Sequence, residues 1–139
     1  MIVSKEHIQQ YLPHRPPFLM IDGLLSATPE RFESVFEITQ DNVLVAEGEF
    51  QESGLMENIA QTCAASFGYL DREQGGEPKI GFIGAISRVH VYALAPLSST
   101  INTVVEPTHR LGNIVMVSGK SYTNGELLLE CEMKIVISE

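Results

Sequence analysis

The chain has 139 residues, room for one domain with a sizeable core and too few for two; 44% are apolar and 19% charged, which excludes a disordered acidic segment. Nine Lys and Arg against eighteen Asp and Glu leave a formal charge of −9, which argues against nucleic acid or an anionic membrane as the main partner. Cys63 and Cys131 stand in apolar contexts without metal-ligand spacing, and no run of about 18 apolar residues occurs, so a soluble cytoplasmic protein with free thiols and no metal site is expected.

Residues 4–11 (SKEHIQQY) begin with Ser4 as a helix cap and predict a short helix that Pro13 stops. Pro13, Pro16 and Pro17 then stiffen the segment LPHRPPF, so His14 and Arg15 ride on a rigid loop. A strand is expected at 18–27 and another at 32–39, where Phe32, Phe36 and Ile38 share one parity; 43–50 is a further extended piece.

Residues 54–70 (GLMENIAQTCAASFGYL) place Met56, Ile59, Ala60, Cys63 and Phe67 at helical spacing, with Ser53 as the expected cap and Gly75-Gly76 as the stop. Glu57 is the one charge in that stretch, so the helix must be buried nearly all round. Strands are expected at 80–93, 98–106, 112–122 and 126–137; in the last, Leu127, Leu129, Cys131, Met133, Ile135 and Ile137 alternate with more polar positions. Asn124-Gly125 predicts a type I′ hairpin turn before it. Sheet segments on both sides of one nearly uncharged helix point to an α+β fold, a single domain over 1–139 in which an antiparallel sheet curls around the helix. More apolar surface than one layer hides implies at least a homodimer.

The segment YLPHRPPFLMIDGLLS resembles the opening of bacterial 3-hydroxyacyl-[acyl-carrier-protein] dehydratases, and GLMENIAQTCAASFGYL resembles that family's helix, with Glu57 and Gln61 on the matching positions. FIGAISRVHVYALAPLSSTINTVVE is similar to the strand and turn after the helix, with Pro96-Leu97-Ser98 in place of the usual Pro-Gly-Asp. The resemblance implies the hotdog fold, with subunits paired edge to edge. Typical members carry a His-Phe-Pro-Gly loop whose histidine is the catalytic base. Here VAEGEFQESGLME stands at that place, and no histidine lies between His14 and His90. In this the chain is similar to a divergent branch found in aryl polyene and related pigment pathways.

The implied reaction is dehydration of a 3-hydroxyacyl thioester, carried on acyl carrier protein or coenzyme A, to the trans-2-enoyl thioester in fatty acid or polyene-type lipid biosynthesis. No metal or redox cofactor is implied. Such a reaction needs a base for the proton beside the carbonyl and an acid for the departing hydroxyl, and these are expected on opposite sides of the Cα–Cβ bond. Glu57 fits the acid, since a carboxyl on an apolar helix loses hydration and is suited to hold a proton; the plainer alternative is a first-turn glutamate paired with an arginine. Free amides near Gly54 and Leu55 are expected to polarise the thioester carbonyl, with Gly54 permitting close approach.

His14, carried by the matched motif, is the first candidate for the base; the alternative is that it only fastens its loop or lines the tunnel. His90 is expected on a strand, and His7 and His109 on the surface. Gln61, one turn after Glu57, either orients that carboxyl or bonds helix to sheet. Arg88 is a candidate contact for a phosphopantetheine phosphate or a partner of Glu57. Met20, Met56, Phe67, Phe82 and Ile83 are candidates for an acyl tunnel, Phe82 among the substrate-binding residues. An anionic carrier must dock on a local basic patch, for which Arg15, Arg72, Lys79, Arg88, Arg110 and Lys120 are the supply. Two other readings stay open: a non-catalytic acyl-binding or helper subunit paired with another hotdog chain, and an acyl thioesterase.

Overall fold

A computed structural model describes residues 1–138. The chain opens with a single 3-10 turn at Ile8–Gln10, flanked by His7 without a side-chain cap, where a longer helix capped by Ser4 was expected. Two strands follow, β1 (Gly23–Thr28) and β2 (Arg31–Glu37), and then a small hairpin of β3 (Val45–Ala46) and β4 (Glu49–Phe50). The helix α1 spans Glu52–Glu73, and β5 (Gly81–Val91), β6 (Ala95–Pro96), β7 (Thr100–Leu111), β8 (Ile114–Thr123) and β9 (Glu126–Ile137) complete the order. The main sheet runs β1-β2-β7-β8-β9-β5, antiparallel throughout, and β3, β4 and β6 form a second, smaller one. One long helix against one large antiparallel sheet is the hotdog arrangement that the resemblance implies.

The helix is buried along most of its circumference, as its composition requires: Leu55, Ile59, Cys63 and Phe67 join Phe32, Phe36, Ile101, Val105, Val117 and Met133 in the main core. Its start differs from expectation. Gln51 flanks the first turn, without a side-chain cap, and Ser53 lies inside the helix. Its end is a Schellman motif: Gly75 (φ 83°) donates its amide to the Arg72 carbonyl and Gly76 donates to that of Asp71, satisfying carbonyls that the helix leaves open. Asn124 and Gly125 both take positive φ, 50° and 78°, between Thr123 and Glu126, the hairpin expected there.

A polar seam crosses the core beneath α1. Ser34, Thr103 and Ser121 are opposite one another on β2, β7 and β8 and wholly buried. The Ser34 hydroxyl meets Thr62 Oγ1 at 2.7 Å, and Thr103 Oγ1 donates to Asn58 Oδ1 and lies 3.1 Å from Ser121 Oγ. Every partner is itself buried, so the seam sets the rotation of the helix against the sheet.

The expected strand at 18–27 begins only at Gly23. Residues 18–20 make no ladder, because helix side chains occupy backbone groups of Phe18 and Met20. Asn58 Nδ2 donates to the Met20 carbonyl (2.7 Å), the Met20 amide donates to Gln61 Oε1 (2.6 Å), and Gln61 Nε2 donates to the Phe18 carbonyl (2.9 Å). At the opposite side of the sheet, β5 pairs only with β9 and leaves its other edge open. Phe82, Ile83, Ile86, Val89 and Val91 are all exposed on it.

Candidate active site

Glu57 sits on the second turn of α1, on a face where Ala60, Ala64 and Phe67 follow at three- and four-residue spacing. The two alanines leave space beside the carboxylate. Opposite them runs the proline-rich loop, clamped by its own arginine: Arg15 Nη1 donates to the carbonyls of Leu12 and His14, both at 2.8 Å. The loop thereby presents His14, whose Nε2 lies 3.8 Å from Glu57 Oε2. The two side chains are 33% and 37% exposed, so both reach solvent at a cleft mouth. Glu57 is therefore less withdrawn from water than an apolar helix implied, because the cleft that contains it is open in a single chain.

Gln61 bonds to the Glu57 carboxylate, one of the two readings considered for it; its other bonds run to Phe18 and Met20, ahead of β1, and not to the sheet. Its Oε1 must accept from the Met20 amide, which fixes the orientation of its own amide, and its Nε2 donates to Phe18 and to Glu57 Oε2 (2.9 Å). One buried side chain thus ties the Glu57 carboxylate, the helix and the segment that follows the His14 loop. Among the described residues the His14 Nδ1 is buried without a partner and none holds its ring from behind. Asn58 shares the task of holding that segment. The signal for it was a polar residue on an otherwise apolar helix, one turn before Thr62.

His14, Glu57, Ala60, Ala64, Phe67, Gly81, Phe82, Ile83 and Ile135 line a cleft of about 210 Å³. Of the expected substrate-binding residues, Phe82 is on its wall, 59% exposed on the open edge strand. Gly54 and Leu55 are not. Both are buried, and both of their amides donate to the Gln51 carbonyl (2.9 and 3.1 Å), so they are not free to polarise a thioester; the helix starts at Glu52, two residues before the expected Gly54, and absorbs them. Gly54 meets the ring of Phe50, so the space beside it belongs to a core side chain.

Arg88 lies at a bulge in β5 with φ 52°, and its Nε is 3.7 Å from Glu132 Oε2, where a pairing with Glu57 had been one option. It lines a separate depression with His90, Ser118 and Glu130. His7 and His109 are exposed and line neither. A further cleft of about 380 Å³ opens at the C-terminal end of α1, lined by Phe32, Phe67, Asp71, Gln74, Lys79, Arg110 and Asn113 among others. The cysteines are free and buried; burial pushes the Cys131 thiol up to about 11 and that of Cys63 further, which makes both poor nucleophiles. Among the described residues no three His, Cys, Asp or Glu side chains gather as metal ligands.

A family model described as ApeP-like, ApeP dehydratase, matches residues 6–138. The chain is similar to the 3-hydroxyacyl-[acyl-carrier-protein] dehydratase FabZ of Clostridioides difficile, 26% identical over 99% of each chain. Its fold is similar to that of a chain in the dehydratase heterocomplex ApeI:P from Xenorhabdus doucetiae, with a TM-score of 0.86, 14% identity, and coverage of 95% of this chain and 91% of that one. A hypothetical thioesterase protein with coenzyme A from Streptococcus pneumoniae shares the fold more distantly, with a TM-score of 0.67, 9% identity, and coverage of 83% and 84%.

Proposed function

We propose, from the premise that this chain belongs to the ApeP-like dehydratase family, that Glu57 and His14 are the acid and base with which it dehydrates a 3-hydroxyacyl thioester to the enoyl thioester. The single observation that supports this assignment is the approach of His14 Nε2 to within 3.8 Å of Glu57 Oε2 at the end of an apolar cleft. Groups that close do not sit on opposite sides of a substrate bond. They serve one face of it, so the elimination is syn. His14 Nε2 takes the C2 proton, the C2–H electron pair becomes the C2–C3 double bond, and the C3 hydroxyl leaves as water with the proton of Glu57. Return of the proton from His14 to the Glu57 carboxylate across the same gap restores both groups. Gln61 holds the carboxylate in register throughout.

The subunit is read as a single domain that acts in the cytoplasm on an acyl chain carried by an anionic carrier protein or coenzyme A, and pairs through β5. The exposed apolar residues of that open edge support pairing with a second copy or with another hotdog chain. Among the described residues no helix is long and apolar enough to cross a membrane. A helper role is the second reading, favoured by the orphaned His14 Nδ1 and by the similarity to a chain of a heterocomplex. The thioesterase reading has only fold likeness behind it.

Turnover of a 3-hydroxyacyl thioester, followed by the absorbance of the conjugated product, tests the assignment. Glu57→Gln should slow it by about 10²–10⁴-fold with unchanged circular dichroism. Full activity in Glu57→Gln overturns the role of the carboxylate. Full activity in His14→Ala moves the base to another subunit, and release of free thiol from a saturated thioester moves the chemistry to hydrolysis.

A further inference from the structure

The face of α1 that carries Glu57 continues past the first cleft. Glu57, Ala60, Ala64, Phe67, Asp71 and Gln74 follow one another at three- and four-residue spacing; the first four line the cleft with His14, and the last three line the cleft at the helix end. Phe67 is the wall common to both. Phe32 packs edge-on against its ring at 5.2 Å, and the Arg110 guanidinium lies over the ring at 5.9 Å. Ten residues of helix separate Glu57 from Phe67, a rise of about 15 Å, or about twelve carbon–carbon bonds of an extended chain.

The two clefts differ in chemistry. Between Glu57 and Phe67 the walls are Ala60, Ala64, Phe82, Ile83 and Ile135, whose side chains hold no hydrogen-bonding group. The two amides of a pantetheine arm would go unpaired there, whereas methylenes lose nothing. Beyond Phe67 the lining turns polar, with Arg110, Lys79, Asn113 and Gln74. Among the described residues its one carboxylate, Asp71, accepts the Lys79 backbone amide at 3.3 Å, and Arg110 forms no ion pair. A hydrocarbon end pressed against that guanidinium would strip its water and replace nothing.

We propose that the acyl chain lies along this face of α1 and that the second cleft binds its far end through Arg110, so that the substrate is a 3-hydroxyacyl thioester whose chain ends in an acidic oxygen group such as a carboxylate. This rests on the dehydratase reading for the position of the thioester. Phe67 marks the boundary between the hydrocarbon part and the terminus, and Arg110 is the specificity residue.

Calorimetry on the full chain with amide-linked pantetheine analogues tests it, using acyl chains of about sixteen carbons, long enough from C3 to pass Phe67, that end in methyl or in carboxylate. The carboxylate-ended analogue should bind at least about tenfold tighter, a single charge-assisted hydrogen bond in a partly open site, and Arg110→Met should erase that difference. Equal binding of the two, or a preference that survives in Arg110→Met, overturns the proposal. A 4′-phosphate on the arm distinguishes the other source of an anion: if Arg110→Met removes a gain that depends on that phosphate, the cleft takes the carrier arm and the proposal fails. Turnover of a 3-hydroxybutyryl thioester, too short to reach Phe67, reports the dehydratase reading alone. Its absence alongside a carboxylate preference faults the catalytic assignment and supports the tail site, and the reverse pair of results faults only the tail site.

Discussion

Gln61 concentrates the site in one side chain. With its carbonyl committed to the Met20 amide and its nitrogen to Phe18 and Glu57, it has no freedom to flip, and neither neighbour can move without it. Gln61→Met keeps the volume and removes all three bonds, leaving the Met20 amide buried and unpaired. We expect a loss of about 1–3 kcal/mol of stability in urea denaturation. On the proposed role of Glu57, the same variant should lose kcat with KM little changed, since it leaves that carboxylate unpositioned. At the start of β1, Asp22 is a second legible acid with a different fate. Burial raises its carboxyl above the usual range, although its Oδ2 accepts the Glu37 amide at 2.9 Å. A raised carboxyl holds its proton more tightly in the folded chain, so its contribution to stability is fully present in acid, below the usual Asp range, and is lost as pH rises through the raised value. Asp22→Asn should therefore raise the melting temperature at pH 7 and leave it nearly unchanged at about pH 3, a difference that calorimetric scans at both pH values will register.

Helix α1 was legible because its pattern has one explanation: a stretch with a single charge and small residues on several faces can only be surrounded. The closeness of that packing was not legible. Gly68 lies where a methyl group would strike the Tyr11 backbone carbonyl, and a backbone atom has no rotamer by which to yield. Gly68→Ala should cost about 1–3 kcal/mol in urea denaturation even though alanine favours helix. Boundaries failed where side chains replaced backbone partners. Phe18, Leu19 and Met20 read as a strand from their apolar run, yet Asn58 and Gln61 bind them in place of a neighbouring strand, and such a pairing across some forty residues leaves no local trace. At the helix start the cap is Gln51 and not Ser53, and its backbone carbonyl closes the amides of Gly54 and Leu55. His14 and Glu57 were legible as residue types in a motif; their distance was not, since it depends on how Arg15 folds the loop back on itself. Thr103→Val tests the seam that sets the helix rotation. It strands Asn58 Oδ1 and should cost about 1–3 kcal/mol by the same measurement.

For the whole molecule, the open edge of β5 is the surface through which we propose that it pairs in solution. Antiparallel edges with exposed Ile86, Val89 and Val91 are unstable alone in water, and pairing two of them across a two-fold axis satisfies both. Light scattering should give a mass near twice 15.3 kDa, and Ile86→Lys should return it to that of one chain. Gly81, Phe82 and Ile83 belong to that edge strand and to the wall of the cleft with His14 and Glu57. On the proposed site and the proposed pairing, assembly and turnover share one strand, and an enzyme so built has no fixed specific activity: its rate per molecule should fall on dilution as the edge reopens, and where two different chains compete for the edge, their ratio should set the flux.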